Sequence, residues 1–237
     1  MSYIKIVIKA FRAPDDVAAC QKFVDGHMKV LKIYGITMIT SANIEWFEDP
    51  NTYVILVESE DGEKVYGGAR VQVAGGKYEL PIEKAVKDMD ITIHQQIQKY
   101  AEAGTAEFCG LWNSREVAGL GIGSMYLGRA AVAITEQLQL TTLFGLCAPA
   151  TVKNSARVGF EIATFLGNNG TFYYPKEDLI ATAVIINNTT TLETADPEER
   201  EIIFDLRKNL QQHKEELGPK ARILDVVYDL KIPNLNK

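Results

Sequence analysis

The stretch REVAGLGIGSMYLGRAA, residues 115–131, decides how this chain is read. Gly119, Gly121 and Gly123 alternate with apolar residues, and a run with helical spacing follows at once. Glycine permits tight curvature and lets another group touch the backbone. The first amides of a helix have no intrahelical partner and carry partial positive charge. A glycine-rich turn between a strand and a helix is therefore a setting for a phosphate or pyrophosphate. AEFCGLWN, residues 106–113, reads as the strand before the turn, and residues 124–139 read as the helix after it. The same alternation also serves a helix packed tightly on a sheet, or a plain loop.

Three nucleotide chemistries fit poorly. A Walker loop ends in Gly-Lys-Ser/Thr, and this loop does not. A dinucleotide fingerprint needs G-x-G-x-x-G, but Ser124 stands at the third glycine's place, and the next strand, TTLFGLCAP, ends without an acid. A methyltransferase loop wants an acid two residues before the first glycine, where Val117 stands.

Composition narrows the class further. The 237 residues are 46% hydrophobic and 24% charged, as in an ordinary globular protein. No apolar run is long enough for a transmembrane helix, and the lysine-interrupted start reads as a strand rather than a signal peptide. Cys20, Cys109 and Cys147 are widely spaced in apolar surroundings, which suits free thiols in a reducing cytoplasm. The net charge of −6, without a basic cluster interleaved with aromatics, argues against a nucleic-acid partner. His27, His94 and His213 lie far apart and no CxxC or HxxxH occurs, so no metal site is expected.

The elements fall in a clear order. Residues 4–10 alternate as a strand, and Pro14-Asp15-Asp16 starts a helix whose Val17, Cys20, Phe23, Val24, Met28 and Leu31 share helical spacing. Residues 53–58 and 65–73 form a hairpin around Asp61-Gly62. A helix is expected over 86–100, a short one ending at Gly159, and a strand over 180–186. Thr194 or Asp196, Pro197 and Gly218 punctuate a long helix, and ARILDVVYDLKI closes the chain as a strand. The absence of linkers and repeats indicates one domain over 1–237, in the α/β (α+β) class with a sheet of mixed direction.

The glycine stretch resembles the pyrophosphate loop of the GNAT superfamily of N-acetyltransferases, whose pattern is Arg/Gln-x-x-Gly-x-Gly/Ala. Gly121 and Gly123 match its glycines, and VGFEI at 158–162 is similar to the LGF that ends the next conserved helix. The resemblance covers residues 4–162 and leaves 170–232 as a strand–helix–strand extension, which could complete the sheet, cover the acceptor or form a homodimer interface. It implies a mostly antiparallel central sheet flanked by helices, and direct transfer from acetyl-CoA or a longer acyl-CoA to a small-molecule or peptide amine. No metal, nucleic acid or membrane is implied. Ala118, Ala148 and Ser155 depart from the family at the usual Arg/Gln, asparagine and general-acid tyrosine, and so leave open a non-catalytic member that binds CoA or another metabolite as a sensor.

Under this resemblance Leu111, Trp112 and Asn113 contact pantetheine and the thioester carbonyl. Gly119, Leu120, Gly121, Ile122, Gly123 and Ser124 take the pyrophosphate. Glu107, the one acid in its apolar strand, should have a raised pKa suited to a general base. Ser155 or Tyr126 is the candidate acid, and Lys153 and Arg157 are candidates for the CoA phosphates. The hairpin WFEDPNTYVILVESEDGEKVYGGARVQV is also similar to the acyl-homoserine-lactone synthase and long-chain N-acyl amino acid synthase branch, with Arg70 and Glu107 at its arginine and glutamate. That likeness implies a longer acyl group and acyl carrier protein as a possible donor. It places Trp46, Tyr34, His27 and Arg70 beside the acceptor.

Overall fold

The computed structural model describes residues 4–36, 44–218 and 222–235. Its strands are β1 (Ile4–Arg12), β2 (Thr52–Ser59), β3 (Val65–Val73), β4 (Thr105–Asn113), β5 (Thr142–Cys147), β6 (Glu161–Ile162), β7 (Thr171–Tyr173), β8 (Ile180–Ile186), β9 (Gln211–Leu217) and β10 (Ile223–Asp229). Its helices are α1 (Val17–Ile33), α2 (Pro81–Val86), α3 (Ile93–Ala101), α4 (Leu127–Ile134), α5 (Pro149–Arg157) and α6 (Pro197–Lys208). The strands join in one sheet of order β6-β8-β5-β4-β3-β2-β1-β10-β9, with β7 also on β8. Only β4–β5 and β1–β10 pair in parallel among the described strands. The expected α/β class with a mostly antiparallel sheet flanked by helices is therefore the observed one.

Side chains on the two faces of the sheet build three cores. Ile8, Ile55, Val71 and Phe108 pack under α4 and α6, against Ala130, Ile134, Ile203 and Leu206. On the opposite face Val54, Leu56 and Trp112 meet α1 through Cys20 and Phe23. Farther along that face Phe144 and Ile185 meet Ile82, Val86, Ile93 and Ile97 of α2 and α3. Asp16 caps α1, accepting the Ala19 N–H at 2.9 Å. The buried stripe of α1 is Ala19, Cys20, Phe23, His27 and Leu31; Val17 and Met28, expected in it, are exposed. At Gly26 a Cβ would stand 2.0 Å from the Trp112 ring, so glycine is what lets this indole lie against α1.

Three expected helices come out differently. The helix expected over 86–100 is two, α2 and α3. The helix after the glycine loop opens with a wide π-type turn, Ile122–Tyr126, and α4 ends at Ile134. The long helix expected to reach Gly218 stops at Lys208, and Gln211–Leu217 is the edge strand β9, antiparallel to β10. A strand this polar is stable because Glu216, half-buried, is met by Arg129 and Tyr228 rather than by apolar side chains. The C-terminal segment thus extends the sheet beyond β1.

Candidate active site

The site begins where two parallel strands part. β4 and β5 pair from Thr105–Thr142 to Phe108–Gly145 and no farther, although β4 runs on to Asn113 and β5 to Cys147. Beyond this point β4 pairs with β3 alone and β5 with β8 alone among the described strands. A bulge helps to turn β4 away. Between the Arg70–Cys109 and Gly68–Trp112 pairs, β4 carries one residue more than β3. Gly110, in this bulge, has φ +61°, and a Cβ there would lie 3.3 Å from the Phe23 ring. The left-handed backbone and the close ring together explain glycine at this position.

Glu107 sits on the α1–α3 face of the fork. It is buried, and its Oε2 accepts the Ile82 N–H at 2.6 Å. Burial pushes its pKa up to about 8; the Ile82 amide and the charge of Arg70 pull it down, and Glu83 pushes it up. Its register partner on β3 is Gln72, whose Nε2 donates to the Glu79 carbonyl at 3.2 Å. Arg70 is fully buried, with its guanidinium 4.4 Å from the centre of the Trp46 ring. Trp46 and Trp112 both pack edge-on to Phe23, so the two indoles belong to the core under α1. His27 packs against the same Phe23 ring, and burial with the Arg70 charge pulls its pKa down to about 4. Tyr34 is exposed at the end of α1. Burial holds the Cys20 and Cys109 thiols up at about 12, which removes both as nucleophiles near neutral pH.

The glycine loop lies on the other face. Leu111 packs against the core under α4, and Asn113 stands beside Gly123, where a Cβ would be 2.3 Å from the Asn113 Oδ1. Gly119 and Gly121 have φ +82° and +90°. Leu120 and Ile122 are buried and pin the loop to the core, so what they can offer a ligand is backbone. Helix runs from Ile122 through Ile134, and the amides of its first turn have no intrahelical acceptor. The Ser124 side chain is outside the described residues. Gly119, with open space around its Cβ position, leaves this end of the helix approachable. Such an amide cluster suits a pyrophosphate.

Ser155 also lies on this face, on α5. Its Oγ donates to the Thr151 carbonyl at 3.1 Å and contacts Cys147 Sγ at 3.4 Å. Glu107 and Ser155 therefore approach the fork from opposite faces of the sheet. Tyr126 is buried under α4, with no hydrogen-bond partner for its hydroxyl among the described residues, and burial pushes its pKa up to about 12. Arg157 is held by Glu199 at 2.7 Å and Asp196 at 3.3 Å.

Several contributors carry no local sequence signal. Arg129, one turn into α4, is buried and holds Glu199 of α6 and Glu216 of β9, each at 2.5 Å. The C-terminal segment is thereby tied to the loop helix, leaving between them a cleft of about 490 Å³. Glu83 and His94, behind Glu107, were equally silent. The Pro81-x-Glu83 spacing at the start of α2 is the one hint to them.

No protein-family model matches this chain, and no curated protein does. Solved structures match by shape. FeeM, an N-acyl amino acid synthase from uncultured soil microbes, superposes with a TM-score of 0.60 at 14% identity, over 83% of this chain and 97% of its own. MesI, a CoA-dependent acyl-homoserine lactone synthase, gives 0.52 at 14% identity, over 86% and 95%. An acyl-CoA N-acyltransferase from Pseudomonas aeruginosa gives 0.51 at 11% identity, over 76% and 98%. At such identities the likeness is one of fold: this chain has the GNAT-like fold that these acyltransferases and synthases share.

Proposed function

We propose that this protein is an acyl-CoA-dependent N-acyltransferase that moves an acyl group directly to an amine. The observation that carries the reading is the fork between β4 and β5, with a buried carboxyl on one face and a glycine-rich helix start on the other. An acyl-CoA laid through the fork would set its pyrophosphate on the amides of Gly119–Ser124. Its pantetheine would run along the unpaired edge of β4 at Leu111–Asn113, where backbone amides can polarise the thioester carbonyl.

The amine nitrogen attacks the thioester carbon from the Glu107 face. The new C–N bond forms, the C–S bond breaks, and the electron pair leaves on sulfur. Glu107 takes the ammonium proton. With a pKa near 8 it is a stronger base than an ordinary carboxylate, and its ionised form grows as pH rises toward 8. Ser155, bridged to Cys147, is the polar group placed for the departing thiolate. Arg70 and Trp46 stand under the acceptor face. The structural neighbours FeeM, an N-acyl amino acid synthase, and MesI, a CoA-dependent acyl-homoserine lactone synthase, support an acceptor bearing an amino group, and the hairpin's resemblance implies an acyl group longer than acetyl. The donor could then be an acyl carrier protein as well as CoA.

A sensor reading draws on one observation: Ser155 already donates to Thr151 and lacks the acidity of a phenol. Calorimetric titration with acetyl-CoA, a long-chain acyl-CoA, NADH and S-adenosylmethionine, followed by thiol release across an amine panel, separates the readings. Acyl-CoA binding with amine-dependent thiol release is expected. Failure of both acyl-CoAs to bind rejects the acyltransferase reading, and binding without release favours the sensor.

A further inference from the structure

Glu107 does not stand alone at the start of α2. Pro81, which has no N–H, occupies the first helical turn, so Leu80 and Ile82 supply the donors at this end. Each donates to one carboxylate. The Leu80 N–H meets Glu83 Oε2 at 2.8 Å, and the Ile82 N–H meets Glu107 Oε2 at 2.6 Å. Two carboxylates held by amides two residues apart, away from water, oppose one another's ionisation. Glu83 continues outward: its Oε1 meets His94 Nδ1 on α3 at 2.9 Å. The Glu83 side chain is 11% exposed and the imidazole 43%, so the pair leads from the buried carboxyl to solvent.

The charged and titratable groups that face Glu107 are Arg70 from β3, Glu83 from α2 and Cys109 on its own strand, while Cys147 of β5 lies on the Ser155 side of the sheet. Burial pushes both thiols up and keeps them neutral. The charges that act on Glu107 are therefore Arg70, which favours the carboxylate, and Glu83, which opposes it.

We propose that Glu83, which His94 holds from its outer side, is a positioning residue for Glu107: the two carboxyls are fixed on amides two residues apart at one buried helix start, and the negative charge of Glu83 keeps the proton on Glu107. The inference rests on Glu107 being the general base proposed above.

Carboxyl carbon NMR of the full chain tests it without an activity assay, with the Glu107 signal assigned by its loss in Glu107→Gln. Glu83→Gln removes the charge and keeps the cap, because glutamine also serves a capping box. The Glu107 midpoint should fall by about one pH unit or more in Glu83→Gln. A midpoint that is unchanged or higher overturns the proposal. If Glu83→Gln loses its cooperative melting, Glu83→Ser decides by the same readout: a midpoint lowered by about one pH unit supports the proposal, and an unchanged one overturns it. The acidic limb of the kcat/KM profile should move with the NMR midpoint. A moved midpoint with a fixed limb upholds the coupling and rejects Glu107 as the base, so the two failures are distinguishable.

Discussion

Phe108 and Gly145 form the last rung between β4 and β5; one residue on, Cys109 and Leu146 are no longer partners. The opening depends on the bulge at Gly110. Replacing Gly110 with alanine places a Cβ at φ +61°, 3.3 Å from Phe23, at a cost of about 1–2 kcal/mol. The expected outcome is a melting temperature lowered by a few degrees and a larger loss in kcat than the stability change alone explains. Thermal melts beside steady-state assays check this.

The glycine loop should tolerate side chains unequally. Gly123→Ala puts a methyl 2.3 Å from Asn113 Oδ1, and Gly121→Val forces a β-branched residue to φ +90°. Both should weaken acyl-CoA binding about tenfold or more, a loss of about 1.4 kcal/mol or more in binding energy. Gly119→Ala meets open space and should lose less, through backbone strain alone. Calorimetry on the three variants reads this order directly, and equal losses would contradict it.

Glu107 and His27 should put slopes of opposite sign on the stability profile, overlapping between about pH 4.5 and 6.5, with Glu107 alone acting from 6.5 to about 8. Glu107 has a folded pKa of about 8 against an ordinary value of 4.5, so the folded state keeps a proton that the unfolded state loses. The contribution is intact below about pH 4.5 and is lost as pH rises to about 8, a change of the order of a few kcal/mol. Glu107→Gln should remove the fall in stability between about pH 4.5 and 8 while lowering the rate. His27 has the opposite sign. Its folded pKa of about 4 lies below the ordinary 6.5, so its contribution is present above pH 6.5 and is lost as pH falls toward 4. His27→Phe should flatten the acid side. Urea midpoints measured between pH 4 and 9 on both variants check the two slopes.

Removing Arg129 should be costly. Its guanidinium bonds Glu199 and Glu216, and Arg129→Met leaves buried Glu199 and half-buried Glu216 with less compensation. A loss of about 3–5 kcal/mol is expected by urea denaturation. Protease cleavage between α6 and β9 should accelerate, because this clamp joins those elements to α4.

The sequence alone carried the local elements whose physics is local. The Asp61-Gly62 turn, the cap at Asp16, Pro197 at the start of α6 and the left-handed Gly159 all behave as their residues dictate. Alternation gave β1, the turn at Asp61-Gly62 gave β2 and β3, and the glycine loop between strand and helix pointed to the fold. Strand β9 was hidden because Gln211–Leu217 is too polar to show an apolar face. Its inward face is satisfied by Arg129, 87 residues away from Glu216 in the chain. Glu107 stood out as a lone acid in an apolar strand, yet its partners could not be read, since the Ile82 amide reaches it from 25 residues upstream.

Side-chain periodicity and turn chemistry thus fixed most of the local elements and their order. Only the tertiary structure decided that β4 and β5 part after Phe108, and that β10 lies parallel to β1. It alone puts Trp46 and Trp112 in the core rather than in an open cleft, and sets Glu83 beside Glu107 at one helix start. Those relations depend on which chain-distant groups share a buried space, where desolvation and charge set what each can do.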